Sequence, residues 1–364
     1  MKRLALTMVT AVLLFGCATP QQEVMERVFY PPLPQEPRLQ FLTFITTEEQ
    51  LGGKKSTFNE FLLGEEQSSK WITTPYDIEA SPGKIYVLDR QINSVIILDL
   101  EKGVFDAIRS TGMGSLTEPA GFAVTENDYK YVTDFGRKQI IVYDNDNRYV
   151  KAYGKLDQFV KPVDVAVYED RLYVCDFGLS QILVLDMATG ETIQTIGEPG
   201  SEEGQFLKPT HIDIDDMGNL YIDDAFNFRI QVLDLNGTYL RTIGYHGDTY
   251  GALSRPKDIA VDRSGLLYVA DAAFENVQIF DAETSRLMLF FGGFAGTGGM
   301  TLPSGIFIDY NSENIDYFNK YADKDFKILY LVYVTNLIGN EKINIYGFGE
   351  WTGELTPSAS SPAE

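Results

Sequence analysis

Residues 255–292 read "RPKDIAVDRSGLLYVADAAFENVQIFDAETSRLMLFFG". The stretch holds four short runs rich in β-branched and aromatic residues, separated by turn residues such as Ser264-Gly265. Such runs read as consecutive antiparallel strands joined by tight turns. The unit recurs. A proline leads Pro75-Tyr-Asp-Ile, Pro119-Ala-Gly-Phe, Pro162-Val-Asp-Val, Pro209-Thr-His-Ile, Pro256-Lys-Asp-Ile and Pro303-Ser-Gly-Ile, at spacings of 44, 43, 47, 47 and 47 residues. Eleven or twelve residues beyond each of the first five begins a Tyr-Val/Ile-x-Asp signature, ending at an aspartate: Asp89, Asp134, Asp176, Asp224 and Asp271. Ten residues later comes a second one: Asp99, Asp144, Asp186, Asp234 and Asp281. A four-stranded unit repeated every 40 to 50 residues is the sequence signature of a propeller blade, because each blade buries its faces only against its neighbours.

The reading is therefore an all-β, six-bladed β-propeller with four-stranded antiparallel blades over residues 71–350. It resembles the NHL-repeat family throughout, and Tyr333-Val334-Thr335-Asn336 of the last unit is similar to the related YVTN-type repeat. The sixth unit lacks a fourth strand. The alternating segment "RLQFLTFI" (38–45) is expected to supply it and close the ring, with residues 46–70 crossing to blade one. Within that crossing "TFNEFLLGEE" reads as a short amphipathic helix. About 18 residues are inserted in unit six, around "NSENIDYFNKYADKDFK".

The same repetition disposes of a kinase reading. Asp134-Phe135-Gly136 and Asp176-Phe177-Gly178 each spell D-F-G, but they align with Asp89, Asp224 and Asp271, and no Gly-rich loop, β3-type lysine or H-R-D accompanies them. A short carboxylate at a strand end is expected to accept backbone N–H bonds from the turn that follows.

The chain begins with Lys2-Arg3 and the apolar run "LALTMVTAVLLF", ending in Leu14-Phe15-Gly16-Cys17, which resembles a lipobox. A signal peptide over 1–16 and a lipid on Cys17 are expected. Ala18 in the second mature position implies, by resemblance to envelope lipoproteins, the outer membrane of a two-membrane bacterium, with the protein anchored and not spanning. Residues 17–37, carrying Pro31, Pro32, Pro34 and Pro37, read as a stiff tether, and 351–364 as a disordered tail. With 52 acidic against 30 basic residues, the net charge of −22 argues against nucleic acid as a partner. Of the two cysteines, Cys17 would be acylated, so no internal disulfide remains and Cys175 reads as a packed thiol.

Residues that open each innermost strand face the central channel: Asp77, Gly121, Asp164, His211, Asp258 and Gly305. Asp77, Asp164, His211 and Asp258 form a candidate site for one divalent metal, calcium, zinc or manganese. Each carboxylate could equally accept backbone amides as a property of the repeat. In unit four the variable slot of Tyr-Val-x-Asp holds Asp223, and a hairpin turning at Asp216-Met217-Gly218 sets Asp223 across from His211, a candidate catalytic pair. The resemblance brings lyases with several zinc-binding histidines and calcium-dependent lactonases into view. Two histidines, His211 and His246, exclude a three-histidine zinc site. The function expected is a protein-interaction or scaffold module of the bacterial cell envelope, monomeric, with an envelope protein or polymer as partner. The alternative is a metal-dependent hydrolase or lyase at the channel mouth. The loops that break the repeat (46–70, 198–206 and 310–327) are candidate contact elements, whereas the recurring Phe135, Phe177, Phe226 and Phe274 read as packing between blades.

Overall fold

The computed structural model describes residues 27–52, 71–293 and 296–355. The expected signal peptide, Cys17, the start of the tether, the "TFNEFLLGEE" helix and the last nine residues lie outside the described residues.

Six antiparallel sheets follow one another around a ring, each innermost strand neighbouring the next and the sixth returning to the first. The innermost strands are Pro75–Ser81, Pro119–Val124, Pro162–Tyr168, Ile212–Ile214, Pro256–Val261 and Pro303–Asp309. The expected closure is present: Leu39–Ile45 pairs antiparallel with Ile343–Trp351, so the N-terminal segment completes blade six. That pairing leaves the ring with no open seam.

Blade five shows why the repeat folds this way. Leu267, Val269 and Phe280 alternate inward and are almost fully buried, in one cluster with Tyr221, Val232 and Ile243 of blade four. Each such side chain removed from water contributes roughly 1.5–3 kcal/mol, and none could do so in an isolated blade. The turns are held by the repeated aspartates. Both carboxylate oxygens of Asp176 are used, accepting N–H bonds from Val160 (2.8 Å), Lys161 (2.9 Å), Gly178 (2.8 Å) and Leu179 (3.0 Å). Asp134 accepts from Thr117, Glu118 and Arg137 in the same manner. In blade six Asn336 fills the slot, accepting from the Thr301 amide and donating to the Glu341 carbonyl. The D-F-G aspartates thus tie the turn after the second strand to the loop leading into the innermost one.

Two departures from the sequence reading stand out. Phe29–Tyr30, assigned to the tether, adds a fifth strand to blade six, with Phe29 buried against Phe326 and Trp351. An aromatic pair there buries more apolar surface than an extended linker could, and the neighbouring prolines concealed it. The insertion of unit six folds into a helix, Ser312–Phe318, capped by Asn311. Its buried Asn314 donates to the Ser81 carbonyl (3.0 Å) and accepts from the Gly83 amide (2.9 Å). The segment is a bracket between blades six and one more than a free contact loop.

Candidate functional site

In five of the six blades the residue two places after the repeat proline sits where the strand register shifts, as between Pro75 and Asp77, Pro162 and Asp164, and Pro256 and Asp258. A bulge there re-aims the side chain along the ring instead of into the sheet. Asp77 accepts from its own neighbour Ile78 (2.7 Å) and, with its second oxygen, from Phe122 of blade two (2.9 Å). Asp164 accepts from Val165 (2.9 Å) and from Ile212 of blade four (2.9 Å). Asp258 accepts from Ile259 (2.8 Å) and from Ile306 of blade six (2.8 Å). Each carboxylate is a clasp between consecutive blades. Blade four has its clasp two residues further on, at Asp213, which accepts from Ile214 (2.8 Å) and from Val261 of blade five (2.8 Å). Sequence reasoning missed Asp213, although "THIDID" places it on the same strand face as His211.

Where the slot holds glycine the neighbour needs the space. A Cβ on Gly121 would lie 2.5 Å from an Asp164 oxygen, and one on Gly305 would lie 2.8 Å from the Asp77 Cα. In both of those blades the variable slot is threonine: Thr133 Oγ1 accepts from the Gly121 amide (2.9 Å), and Thr335 Oγ1 from that of Gly305 (2.8 Å).

The inner strands enclose a cavity of about 930 Å³ that opens on the face opposite the prolines. Asp77, Glu79, Asp164, Asp213 and Asp258 line it, and among the described residues no Lys, Arg or His does. Burial pushes Asp77 up to about 7, against the amides that hold it, and Asp213 up to about 6. Asp164 and Asp258 are raised well above the ordinary carboxylate range, first by burial and then by the Asp77 charge. Glu79 is raised in the same way, with Asp77 again the leading neighbour.

The other mouth is narrowed by side chains, and His211 is buried there. Tyr76 of blade one and His211 of blade four stand on opposite sides of a six-membered ring, yet their ring centroids are 6.4 Å apart. The expected register at His211 is found: the Asp223 amide donates to the His211 carbonyl (2.9 Å), beside the pair Ile212 and Ile222. The expected side-chain pairing is not. Asp223 turns to Thr210, whose hydroxyl donates to it (2.6 Å), leaving Asp223 Oδ1 and His211 Nδ1 buried with no partner among the described residues. Threonine wins because its hydroxyl, on the residue beside His211, reaches one carboxylate oxygen without any ring rotation. Burial pulls His211 down to about 3, helped by the Lys257 and Arg90 charges. Asp223 is pushed up to about 7 by burial, against the Thr210 bond. Cys175, fully buried, has its thiol driven up by burial and then by the Asp164 charge, which suits packing and not nucleophilic attack. Among the described residues no three His, Cys, Asp or Glu side chains are arranged to hold a metal ion.

The family described as "6-bladed beta-propeller" (DUF5128) matches residues 49–163 and 156–248, more than half of the chain. The chain belongs to this family. Solved structures with a similar fold include a protein of unknown function from Bacteroides thetaiotaomicron (14% identity, 76% of this chain and 70% of that one, TM-score 0.55). Another is virginiamycin B lyase from Staphylococcus aureus (13%, 76% and 85%, 0.52). A third is a gluconolactonase from Xanthomonas campestris (16%, 76% and 86%, 0.52). At these identities the likeness is one of fold alone, and a shared fold does not carry a shared function.

Proposed function

We propose that this protein is a binding module of the bacterial cell envelope, a NHL-like propeller held to the outer membrane by lipid on Cys17 and presenting a rigid ring to another envelope component. The observation that carries this reading is the employment of the channel carboxylates. Asp77, Asp164 and Asp258 each use both oxygens to fasten blades together, so the residues best suited by type to metal or acid–base chemistry already have a structural task. A ring fastened in this way is a rigid frame on which loops carry specificity. Among the described residues no helix is long and apolar enough to cross a membrane, and the proposed attachment is the acyl chain on Cys17.

The test is extraction in mild detergent. The intact protein is expected to sediment with membranes and to retain one component at constant stoichiometry, and Cys17→Ala is expected to release it into the soluble fraction. A protein that stays with membranes without Cys17, or retains nothing reproducibly, overturns the reading.

One observation favours the enzyme alternative. His211 Nδ1 and Asp223 Oδ1 are the buried polar atoms left unpartnered near the axis, and a neutral imidazole beside a carboxyl is a donor set that divalent metals accept. The described residues offer it no third ligand. Stoichiometric metal lost on His211→Ala would favour that reading.

A further inference from the structure

The face that carries the repeat prolines has a charge pattern unlike the rest of this acidic chain. Arg90 follows the second-strand aspartate of blade one, and Lys161, Lys208 and Arg255 immediately precede the prolines of blades three, four and five. Lys257 follows the proline of blade five. Among the described residues none of these five lies within ion-pair distance of a carboxylate. Three of them, Arg90, Lys161 and Lys208, rest on aromatic rings instead. The Arg90 guanidinium sits 3.7 Å from the centre of the Tyr76 ring and 5.8 Å from that of Phe135. Lys161 Nζ bridges Phe135 (4.9 Å) and Phe177 (4.7 Å), and Lys208 Nζ lies 5.2 Å from Phe177 on its other side. The edge of Phe177 then meets Phe226, at 6.0 Å. The result is one unbroken ladder of cations and rings running from blade one to blade four.

Such a ladder fixes ammonium and guanidinium groups in place without neutralising them. Of the phenylalanines read from the sequence as packing, Phe135 and Phe177 lie between these cations, whereas Phe226 meets only the edge of Phe177 and stays exposed. Holding unpaired positive charges side by side opposes folding, and the chain has carboxylates in surplus with which it could have paired them. Around the ladder the same face exposes large apolar side chains, among them Trp71, Ile92, Val160, Leu207, Phe226 and Ile338. Tyr76 and His211 approach each other across the axis of this face.

We infer that the proline face is a docking surface for a protein segment that carries several carboxylates among apolar side chains. This deepens the binding-module reading and rests on it. Unpaired cations alone would suit any polyanion. The exposed apolar side chains around them favour a protein partner, since interfaces between proteins join Arg and aromatic anchors to apolar contact and electrostatic complementarity. The opposite mouth, with its carboxylate-lined cavity, would repel the same segment.

The test is site-specific photocrosslinking of the intact lipidated protein in its own cells. The photoreactive amino acid is placed at Leu207 or Phe226 on the proline face, and at Tyr129 or Met217 on the opposite face. Expected are adducts from Leu207 and Phe226 that map to one protein, on a segment of net negative charge. Their yield should fall at least tenfold in Lys161→Glu/Lys208→Glu and by less in Lys161→Gln/Lys208→Gln, with circular dichroism confirming that both variants are folded. Adducts to glycan or lipid, adducts to a basic segment, equal yield from the opposite face, or a yield indifferent to charge reversal would each overturn the inference. If a partner still co-purifies in detergent with the charge-reversed protein, the docking surface is wrong and the binding module stands. If none co-purifies with the wild type either, the binding module itself is wrong.

Discussion

Replacing Asp77 separates a clasp from a ligand. Asp77→Ala removes both oxygens and leaves the Ile78 and Phe122 amides, one in each of two blades, buried without acceptors. At about 1–3 kcal/mol for each stranded donor, the loss is roughly 2–6 kcal/mol. The charge removed offsets part of that, because Asp77 is the leading charged neighbour raising Asp164, Asp258 and Glu79, and a net loss of about 2–4 kcal/mol is expected. Asp77→Asn keeps one acceptor and also removes the charge, so its cost should be smaller, about 1–2 kcal/mol. The assay is equilibrium urea unfolding of the purified full chain at pH 7.5, with and without a chelator. A loss below about 0.5 kcal/mol for the alanine variant would refute the clasp, as that is the ordinary scatter of surface substitutions. So would a chelator effect on the wild type as large as the mutation and absent from the mutant.

Three further outcomes follow from the same geometry. Asp77, Asp213 and Asp223 have folded pKa values of about 7, 6 and 7, raised above the ordinary 3.8, so the stability they contribute is present below about pH 4 and is lost as pH rises through 6 to 7. His211, lowered to about 3, works in the opposite direction between about pH 6.5 and 3, but it is one group against several. The midpoint of thermal unfolding should therefore rise as pH falls from 8 to 5, less steeply in Asp213→Asn, and a steady decline over that range would contradict the assignment. Gly121→Ala puts a methyl group 2.5 Å from an Asp164 oxygen and 2.7 Å from the Val163 carbonyl; thermal melts should show a cost of about 1–3 kcal/mol, and a neutral variant would refute the close approach. Asp176→Ala, which strands four amides, should give little soluble protein, and ATP with magnesium should leave the melting of the wild type unchanged; a nucleotide-induced shift would revive the kinase reading.

The ring was legible because its signals repeat. Proline, Tyr-Val-x-Asp and the second aspartate recur at fixed offsets, and six weak indications at one period outweigh any one of them. The closing strand 38–45 was legible because blade six visibly lacked a partner for Ile343–Trp351. Phe29–Tyr30 was not, since two residues carry no periodicity and the prolines beside them argue for a linker. The helix at Ser312–Phe318 hid in an insertion read only by its length. At the site, the turn at Asp216-Met217-Gly218 fixed which residues face each other, and His211 and Asp223 do. Which way the Asp223 carboxylate turns is decided by its nearest hydroxyl, that of Thr210, which the strand register does not reveal. The cation ladder left a faint trace in the basic residue before the prolines of two consecutive blades, Lys161 and Lys208. Recognising it needed the rings between them, which come from other loops.

The most direct test of the central claim is the metal content of the intact protein, purified without chelators beside Asp77→Asn and His211→Ala. If the channel carboxylates are fasteners, all three proteins carry well under one equivalent of calcium, zinc or manganese, and Asp77→Asn differs only in stability. One equivalent in the wild type, lost in both variants, would contradict the account and make the channel a metal centre.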